Sequence, residues 1–460
     1  MRLRSPWQPR LADMKGSPAE RLVAALADDV IEGSLSTGER LPAHRDLAYR
    51  LGIGLGTVTK ACAVLERRGL VRSVHGRGTF VAALQARSGP AIDLSINTPP
   101  RMLSERLLAR TLVAVSRRID PDLLGLYPAG AGHDEHRRQM ARWLAGLGLE
   151  TEASRLLLCN GAQQALAVAF SVACRPGGTI LTEALTYPGA ITLSRHAGYR
   201  LSALDMDGEG LRPDALARAL RSRAHGGGPA ILYITPTMQN PTTATMAWAQ
   251  RREIVRLCRR HDVMIVEDDV YSLCAAPGLP PLAMLAPERT FYANSLSKTL
   301  CPGLRIGTLV VPPALVERTE AALLATSLMV SPLSCAVMEQ WLTDGTAESV
   351  RGSIRMEARR RQSLARALLG NVMRPVDHDG FHAWLPMARE QAERVSLAAA
   401  AAGVIVTPPR ATAVDPEAPQ SGIRLCLGAP SLQDLTAALT AVAGILRNLA
   451  RGSVRRSASA

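Results

Sequence analysis

Residues 290–307 read Thr-Phe-Tyr-Ala-Asn-Ser-Leu-Ser-Lys-Thr-Leu-Cys-Pro-Gly-Leu-Arg-Ile-Gly, and both the fold and the chemistry can be approached from them. Thr290–Asn294 has the pattern of a short buried strand, and two serines and Lys298 follow directly. Arg305 comes seven residues after the lysine. Two hydroxyls, an amine and a guanidinium at this spacing can hold a phosphate group beside an amine. Lys298 stands out because the chain has only two other lysines, Lys15 and Lys60.

Four other short motifs place polar residues where an apolar strand pattern ends. Asp268 and Tyr271 follow Val263–Val266, and Asn240 follows Ile231–Ile234. The carboxylate could keep a pyridine nitrogen protonated, while the phenol and the amide could hydrogen-bond a phenolic oxygen of the same ring. Each motif alone fits an ordinary capped turn equally well, but all five in this order favour a site for pyridoxal phosphate. The other two are Asn160-Gly-Ala-Gln-Gln164, whose helix amides could bind phosphate, and Thr186-Tyr187-Pro188-Gly189, whose tyrosine could stack on the ring.

Strand and helix patterns alternate from about residue 92 onward, which predicts an α/β fold with a mostly parallel sheet. Residues 350–450 are more mixed and predict a smaller α+β lobe. Residues 451–460 are basic and small, and we expect them to be disordered. The predicted strands are Arg155–Cys159, Thr179–Leu181, Ile231–Ile234, Val263–Val266, Thr290–Asn294 and Gly307–Val311.

The first 83 residues predict a separate, mostly helical module. Ser17–Glu20 is a helix start with a capping box, residues 44–51 and 57–68 predict two more helices, and Leu70–Val74 and Gly78–Val81 predict two strands. This is the outline of a winged helix-turn-helix, although a solvated helical cap would have the same helices. Small and polar residues at the start of the third helix suit the major groove of DNA, and a basic wing tip suits phosphates or the minor groove. In the third helix these residues are Gly56, Thr57, Thr59 and Lys60, and at the wing tip they are His75, Gly76 and Arg77.

The composition limits the classes of protein to consider. With 460 residues, 47% apolar residues and a net charge of +14, the chain can form several packed domains and favours an anionic partner. The positive charge is denser in residues 1–90, which carry +6, than in residues 91–460, which carry +8. Eight scattered cysteines without a C-x-x-C pair predict a reduced, cytoplasmic protein. We expect no membrane segment, no signal peptide and no metal site, because apolar stretches such as Ala321–Val330 are short and the histidines lack metal-binding spacing.

The N-terminal module resembles the GntR-type winged helix over its whole length. The resemblance implies contacts with double-stranded DNA from Arg45, Thr57, Thr59 and the wing around His75 and Gly76. The chain departs from many members at Leu55 and Gly56, where arginine or another polar residue is common. The matching residues are Leu41-Pro-Ala-His-Arg-Asp-Leu-Ala48, Thr57-Val58, Leu65, Arg68-Gly-Leu-Val71 and Gly76-Arg-Gly-Thr-Phe-Val81.

Residues 92–450, which follow this module, resemble the fold-type I aminotransferases in the order and spacing of the five motifs. This resemblance implies that Lys298 forms the internal aldimine and that Asp268 pairs with the pyridine nitrogen. Arg424, in Gly422-Ile-Arg-Leu-Cys426, would clamp a substrate carboxylate. One departure is His136 before Arg137, where the family usually has leucine. The remaining implied contacts are Asn240 and Tyr271 to the phenolic oxygen, Tyr187 stacked on the ring, Ala162, Gln163, Ser295, Ser297 and Arg305 to the phosphate, and Tyr127 to the phosphate of a partner subunit.

The two modules together resemble the MocR family of bacterial regulators. The resemblance implies a homodimer and a transcription regulator in which an amine or amino-acid effector exchanges with Lys298 and thereby changes DNA affinity. The corresponding organisation is a DNA-binding domain in 1–83, a linker in 84–91, a pyridoxal phosphate domain in 92–450 and a tail in 451–460.

Two alternative functions stay open at this point. A working aminotransferase with an accessory winged helix is possible because Lys298, Asp268, Tyr271 and Arg424 are all present, and Lys298 would then also shuttle a proton. The other alternative is a DNA-binding protein that holds pyridoxal phosphate only as a structural or sensed ligand.

Overall fold

A computed structural model of the chain describes residues 8–13, 16–31, 35, 39–67, 70–74, 78–81, 91–127, 130–224, 230–273, 278–376 and 379–457. The chain divides into two compact units. Within the described ranges, no helix is both long and apolar enough to cross a membrane. One unit contains Met1–Ala91 with Ala398–Val404 and Gly444–Ala460, and the other contains Ile92–Leu397 with Ile405–Ala443.

The N-terminal unit has the elements of a winged helix. The predicted capping box opens its first helix, since Glu20 accepts from the Ser17 amide at 2.8 Å and the Glu20 amide donates to the Ser17 hydroxyl at 3.4 Å. The third helix begins at Leu55, two residues before the predicted start, because the Gly54 carbonyl already accepts from the Thr57 and Val58 amides. The elements are α1 (Pro18–Ile31), α2 (His44–Leu51), α3 (Leu55–Arg67), β1 (Val71–Val74) and β2 (Gly78–Val81).

A small apolar core holds these helices against the hairpin. Leu22 and Leu26 of α1, Leu47 of α2 and Val58 and Leu65 of α3 are all fully buried in one cluster. These positions follow the helical period, so the opposite faces of α2 and α3 stay in solvent.

The second unit is built on a seven-stranded sheet, which confirms the predicted α/β class. Its order is β4-β12-β11-β10-β9-β5-β6, and only β12 runs antiparallel to its neighbours. The strands, in chain order, are β3 (Ile92–Leu94), β4 (Leu156–Cys159), β5 (Thr179–Glu183), β6 (Arg200–Leu204), β7 (Met206–Asp207), β8 (Gly210–Leu211), β9 (Ala230–Ile234), β10 (Met264–Asp268), β11 (Thr290–Ser295), β12 (Gly307–Val310), β13 (His382–Ala388), β14 (Val404–Val406) and β15 (Gln420–Cys426).

Helices cover both faces of this sheet, and the strands are therefore apolar along nearly their whole length. All α-helices that the structure describes after residue 92, whether or not they contact the sheet, are α4 (Glu105–Ser116), α5 (Pro121–Gly125), α6 (Asp134–Ala145), α7 (Ala162–Ala173), α8 (Pro188–His196), α9 (Pro213–Ala224), α10 (Trp248–Arg260), α11 (Leu282–Leu285), α12 (Leu296–Thr299), α13 (Val316–Thr326), α14 (Pro332–Thr343), α15 (Thr346–Leu369), α16 (Arg389–Ala401), α17 (Pro409–Thr412) and α18 (Leu432–Ser457).

The parallel register places several polar strand ends side by side. Asp268 at the end of β10 pairs with Ala293 of β11, and Glu267 pairs with Ile234 at the end of β9. Ligands of open α/β sheets bind at this carboxyl edge. A smaller antiparallel pair, β13 with β15, sets Arg424 opposite Trp384.

The prediction that residues 451–460 are disordered is wrong for residues 451–457. These residues continue α18 as far as Ser457. The segment from Leu432 onward contains no proline and is rich in alanine, leucine and arginine, which favour a helix. Residues 458–460 lie outside the described residues.

Candidate cofactor and effector site

One cavity at the carboxyl edge of the sheet gathers most of the predicted cofactor residues. Among the predicted set, only Asn240 and Tyr127 are not part of its lining. The cavity is lined by Ala162, Gln163, Tyr187, Asp268, Val270, Tyr271, Ser295, Ser297, Lys298 and Arg305.

Lys298 lies in the single turn of α12, whose first residue is fixed by a serine cap. The Ser295 hydroxyl accepts from the Ser297 amide at 3.1 Å. The Lys298 amine donates to the Asn97 carbonyl and lies 5.9 Å from the ring centre of Tyr271. Burial lowers the pKa of the Lys298 amine from 10.5 to about 8, with part of the effect opposed by Cys426. A substantial fraction of the amine is therefore neutral near physiological pH and can act as a nucleophile.

Three consecutive acids end β10, but only the middle one faces the cavity. Glu267 accepts from the amides of Leu282 and Ala283 and thereby caps α11. Asp269 accepts from the hydroxyl of Tyr292 at 2.7 Å. Asp268 is left for the ligand, because it lines the cavity.

The Asp268 carboxylate is held on one oxygen and open on the other. Its Oδ2 accepts from the Tyr233 hydroxyl at 2.8 Å. Its Oδ1 is buried and has no hydrogen-bond partner of normal geometry among the described residues. Burial raises the pKa of Asp268 to about 6, while the Tyr233 hydrogen bond opposes the rise. A protonated ring nitrogen would satisfy this oxygen and restore the carboxylate.

A chain of buried hydrogen bonds connects the phenol to the arginine. Asn240 Nδ2 donates to the Tyr271 hydroxyl at 2.9 Å, and Arg424 Nη1 donates to Asn240 Oδ1 at 2.6 Å. The other Arg424 donors reach the Thr407 hydroxyl and the Ser95 carbonyl, which is 2.8 Å from Nη2. No carboxylate pairs with Arg424 in the described part of the chain, so this buried guanidinium could bind an anionic group of a ligand.

The predicted phosphate ligands form a tight cradle between α7 and α12. Arg305 has a left-handed backbone with φ 53°, and its guanidinium donates to the Asn160 carbonyl at 3.2 Å and the Ser297 hydroxyl at 3.4 Å. Gly161 precedes α7 with φ 83°, and a Cβ there would lie 2.4 Å from Arg305 Nη2. The first amides of α7 have no partner within the helix and point to the same place, which favours an anion.

Tyr187 lies against the backbone at the start of α8. A Cβ on Gly189 would come within 2.4 Å of the tyrosine ring, so glycine is required for this packing. Gln163 Nε2 donates to the Gly189 carbonyl at 2.9 Å and ties the same turn to α7. The ring can therefore serve as a wall of the cavity.

Tyr127 is not brought to this cavity within the chain. It is 75% exposed and lines a separate cavity with His133, His136 and Glu339. His136, the departure noted in the sequence, is buried and lies 3.1 Å from Glu339 Oε2. Its role there is in packing between α6 and α14.

The predicted DNA contacts that the structure describes lie on the solvent side of the N-terminal unit. Arg45, Thr59 and Lys60 are exposed, and Thr57 is half-buried. The Thr59 hydroxyl donates to the Leu55 carbonyl within the helix. The wing-tip residues His75, Gly76 and Arg77 lie outside the described residues.

Sequence reasoning missed several residues that contact the site. Tyr233 is an ordinary apolar position in the β9 pattern, and Ser95, Asn97 and Thr407 belong to no motif. Their contacts join positions up to 329 residues apart in sequence. Only Tyr233 could have been found from the sequence, because it lies in the predicted strand that precedes the strand of Asp268.

These residues fit pyridoxal phosphate. The fit rests on three features: the buried Asp268 Oδ1, which has no hydrogen-bond partner of normal geometry in the described part of the chain, the crowded glycine cradle at Gly161, and the lowered pKa of Lys298. When bound, the cofactor would supply an aldehyde for Lys298 and an electron-withdrawing pyridinium ring. Arg305 and the α7 amides would hold its phosphate, Asp268 its ring nitrogen, and Asn240 with Tyr271 its phenolic oxygen.

Comparisons with known proteins agree with this geometry. Residues 90–442 match the family model of aminotransferase class I and II, and residues 18–81 match that of bacterial regulatory proteins of the gntR family. The chain is 29% identical to the uncharacterized HTH-type transcriptional regulator YdeF of Bacillus subtilis, over 96% of this chain and 97% of that protein. It is 28% identical to the vitamin B6 salvage pathway transcriptional repressor PtsJ of Salmonella typhimurium, over 90% and 94%. It is 27% identical to the probable rhizopine catabolism regulatory protein MocR of Rhizobium meliloti, over 71% of each chain.

Aminotransferases are among the solved structures that share the fold of the large domain. An archaeal alanine:glyoxylate aminotransferase superimposes with a TM-score of 0.72 at 22% identity, over 79% of this chain and 92% of that one. A kynurenine aminotransferase of Pyrococcus horikoshii, solved with PMP, gives 0.69 at 22% identity, over 79% and 93%. The cofactor of this domain is pyridoxal phosphate. The chain belongs to the aminotransferase class I and II family and carries a gntR-family helix-turn-helix domain before it, the combination found in MocR-type regulators.

Proposed function

We propose that this protein is a DNA-binding transcription regulator that senses an amine or amino acid at its pyridoxal phosphate site. The observation that carries the proposal is one chain with both a winged helix and a cofactor cavity around Lys298. The relatives that match over most of its length carry the names of transcriptional regulators. A regulator of transcription acts on the chromosome, so the proposal places the protein in the cytoplasm.

The DNA-binding side of the proposal rests on α2 and α3. Arg45 and Lys60 are exposed, and neither forms an ion pair with another described residue of the unit. Unpaired exposed cations can contact phosphates without first breaking an internal salt bridge. Thr57 and Thr59 lie at the start of α3, the end that enters the major groove in helix-turn-helix proteins.

The sensing side rests on Lys298 and Arg424. Lys298 offers a partly neutral amine that a ligand amine could replace at the cofactor. Arg424 offers a buried guanidinium with only neutral partners among the described residues. A ligand with an amino group and a carboxylate would use both, which favours an amino acid over a simple amine.

The segment Ser95–Asn97 supplies a route from this site toward the DNA-binding domain. The Ser95 carbonyl accepts from Arg424, and the Asn97 carbonyl accepts from Lys298. Both residues come within six positions of Ala91, where the proposed linker 84–91 ends. A ligand that takes over the donors of Arg424 and Lys298 would therefore remove two of the contacts that hold the segment leading from the linker, while the Thr407 hydroxyl and the pairing of β3 with β14 remain.

The proposal includes a homodimer formed through the large domain. Leu108 and Leu112 lie one turn apart on α4, and they are 44% and 46% exposed. Exposed apolar side chains in such number are typical of a subunit interface. Tyr127 is 75% exposed and lines a cavity with Leu123 and Leu126, and in the proposed dimer it would reach the cofactor phosphate of the partner subunit. Further exposed apolar residues of the large domain include Val113, Leu124, Leu126, Leu328 and Leu333.

A second candidate function, catalytic transamination, is favoured by the completeness of the site. Lys298 could move a proton between the substrate carbon and the cofactor, since it is the only lysine in the domain and has a pKa of about 8. Lys298, Asp268, Tyr271 and Arg424, which the family resemblance implies for this reaction, are all present.

Two measurements distinguish the candidates. Visible absorption of the purified protein with pyridoxal phosphate, for wild type and Lys298→Ala, should give a band that requires Lys298. Titration with amino acids should then shift the band to a stable new form if the protein is a sensor. Loss of the band as the donor is consumed, and its return with a 2-oxo acid, would indicate an aminotransferase instead.

Footprinting on the region upstream of the gene for this protein tests the proposal that the protein binds DNA. Protection of a repeat is expected for wild type, and Arg45→Ala or Thr57→Ala should weaken it about tenfold. Arg256→Ala, which removes an equal charge from α10, is the control and should leave protection unchanged. Equal protection by all variants would argue against the DNA-binding proposal.

A further inference from the structure

Tyr233 is a fully buried tyrosine behind the cofactor cavity, on the strand next to Asp268. Its hydroxyl donates to Asp268 Oδ2 at 2.8 Å. Its ring packs edge-on against Phe170, with ring centres 5.5 Å apart. The register of β9 and β10 pairs Tyr233 with Val266, and Asp268 lies two residues further along the same face of β10, so the tyrosine reaches the aspartate diagonally between adjacent strands.

The two oxygens of Asp268 consequently have different surroundings. Oδ2 is occupied by Tyr233, whereas Oδ1 has no partner of normal geometry among the described residues. The hydroxyl must be the donor in this pair, because burial and the neighbouring negative charge raise the pKa of Tyr233 well above its usual value. The hydrogen bond therefore favours the ionised carboxylate and fixes its plane.

We propose that Tyr233 is a positioning residue that keeps Asp268 ionised and oriented, with Oδ1 presented to the protonated ring nitrogen of pyridoxal phosphate. The inference rests on the proposed use of this cavity by the cofactor. Tyr233 does not touch the cofactor and acts only through Asp268. Without the hydroxyl, Asp268 would lose its one side-chain donor of normal geometry among the described residues and keep only the influence of the Val270 amide, so a proton on Asp268 would become more favourable.

The charge environment makes this assistance necessary. Several acidic or phenolic groups face Asp268, and Glu183 at the end of β5 is itself buried with a pKa raised to about 8. Lys298 is the cation on the same side. An isolated buried carboxylate among such neighbours would tend to be protonated, and a protonated Asp268 could not pair with a pyridinium. The titratable groups around it are Glu183, Tyr187, Tyr233, Asp269, Tyr271 and Lys298.

The chain contains a matched control for this role. Tyr292 is also fully buried, on the strand at the other side of β10, and its hydroxyl donates to Asp269 at 2.7 Å. Asp269 does not line the cavity. Tyr233→Phe and Tyr292→Phe thus each remove one hydroxyl from one buried aspartate, and a purely structural role would make their effects equal.

The experiment measures cofactor affinity and the pH midpoint of the Lys298-dependent absorption band in the full chain. For Tyr233→Phe we expect affinity for pyridoxal phosphate to fall about 10- to 100-fold, as for a lost hydrogen bond to a charged group. The pH midpoint of the absorption band should move to higher pH. A pyridine ring that is less often protonated withdraws fewer electrons, and the Lys298 nitrogen joined to the cofactor is then more basic. Tyr292→Phe should match wild type in both measurements while losing similar thermal stability.

Equal affinity and equal midpoints for the two variants would overturn the inference. If Tyr233→Phe does not fold, 3-fluorotyrosine at position 233 keeps the hydroxyl and makes it a stronger donor, so the midpoint should move to lower pH. An unchanged or higher midpoint with that residue would also overturn it. Absence of any Lys298-dependent band in wild type would instead refute the proposed function, so the two failures can be told apart.

Discussion

The reactivity of Lys298 depends on its burial. Removal from water destabilises the ammonium form, and the pKa falls from 10.5 to about 8. A group with a lowered pKa is deprotonated above that value, so the rate at which the apoprotein combines with pyridoxal phosphate should rise with pH and level off above about 8. Stopped-flow absorption measures this rate. A midpoint near 10.5, the value of an exposed lysine, would contradict the buried environment.

Substitution of Gly161 tests whether the residues proposed to hold the phosphate need a glycine at this position. In Gly161→Ala, the new Cβ would meet the Arg305 guanidinium and strain a backbone with φ 83°. Displacement of Arg305 should weaken pyridoxal phosphate binding about tenfold or more. Gly177→Ala is the control, since its φ of 70° carries similar strain but no atom lies within 4 Å of the added carbon. Its affinity, measured by fluorescence titration, should equal that of wild type.

At the scale of elements, the linker and the segment after it form the proposed connection between the domains. Insertion of a Gly-Ser stretch at Ser88 should leave cofactor binding intact, because Ser95–Asn97 and their partners are unchanged. The ligand-dependent change in DNA affinity should shrink, since a longer flexible linker transmits less displacement. Fluorescence anisotropy with labelled DNA measures it. A full response with the insertion would exclude this route.

The elements that could be predicted from sequence are those with local signals. Ser17 and Glu20 identified the start of α1, and apolar runs identified β4, β5 and β9 to β12 to within two residues. Asp268 and Lys298 could be predicted because each directly follows such a run. The C-terminal helix could not be bounded, because its arginine-rich end resembles a solvated tail as much as a helix.

Contacts between distant elements were beyond sequence reasoning. Arg424 reaches Ser95 and Asn240 only because β15 pairs with β13 in the smaller lobe, and no local pattern specifies that placement. Tyr233 illustrates the same limit, since its hydroxyl matters only through the register of β9 and β10. The exposed leucines of α4 likewise became visible as a surface only in the fold.

At the scale of the whole molecule, the homodimer is the first consequence to test. Leu112→Glu places a charge within the exposed apolar surface of α4 and should produce monomers, which sedimentation velocity would detect. Leu397→Glu is the control, because Leu397 is 73% exposed and lies on a different helix, α16. A dimer that survives Leu112→Glu unchanged would place the subunit interface elsewhere.

In the proposed function, occupancy of Lys298 by a ligand controls the affinity of the protein for DNA. The most direct measurement titrates labelled upstream DNA with cofactor-loaded wild type and Lys298→Ala, with and without a panel of amines and amino acids. We expect at least one ligand to change the wild-type affinity at least fivefold, the low end of typical allosteric coupling, and to leave Lys298→Ala unaffected. Wild-type affinity that no ligand alters, or an equal response in Lys298→Ala, would contradict it.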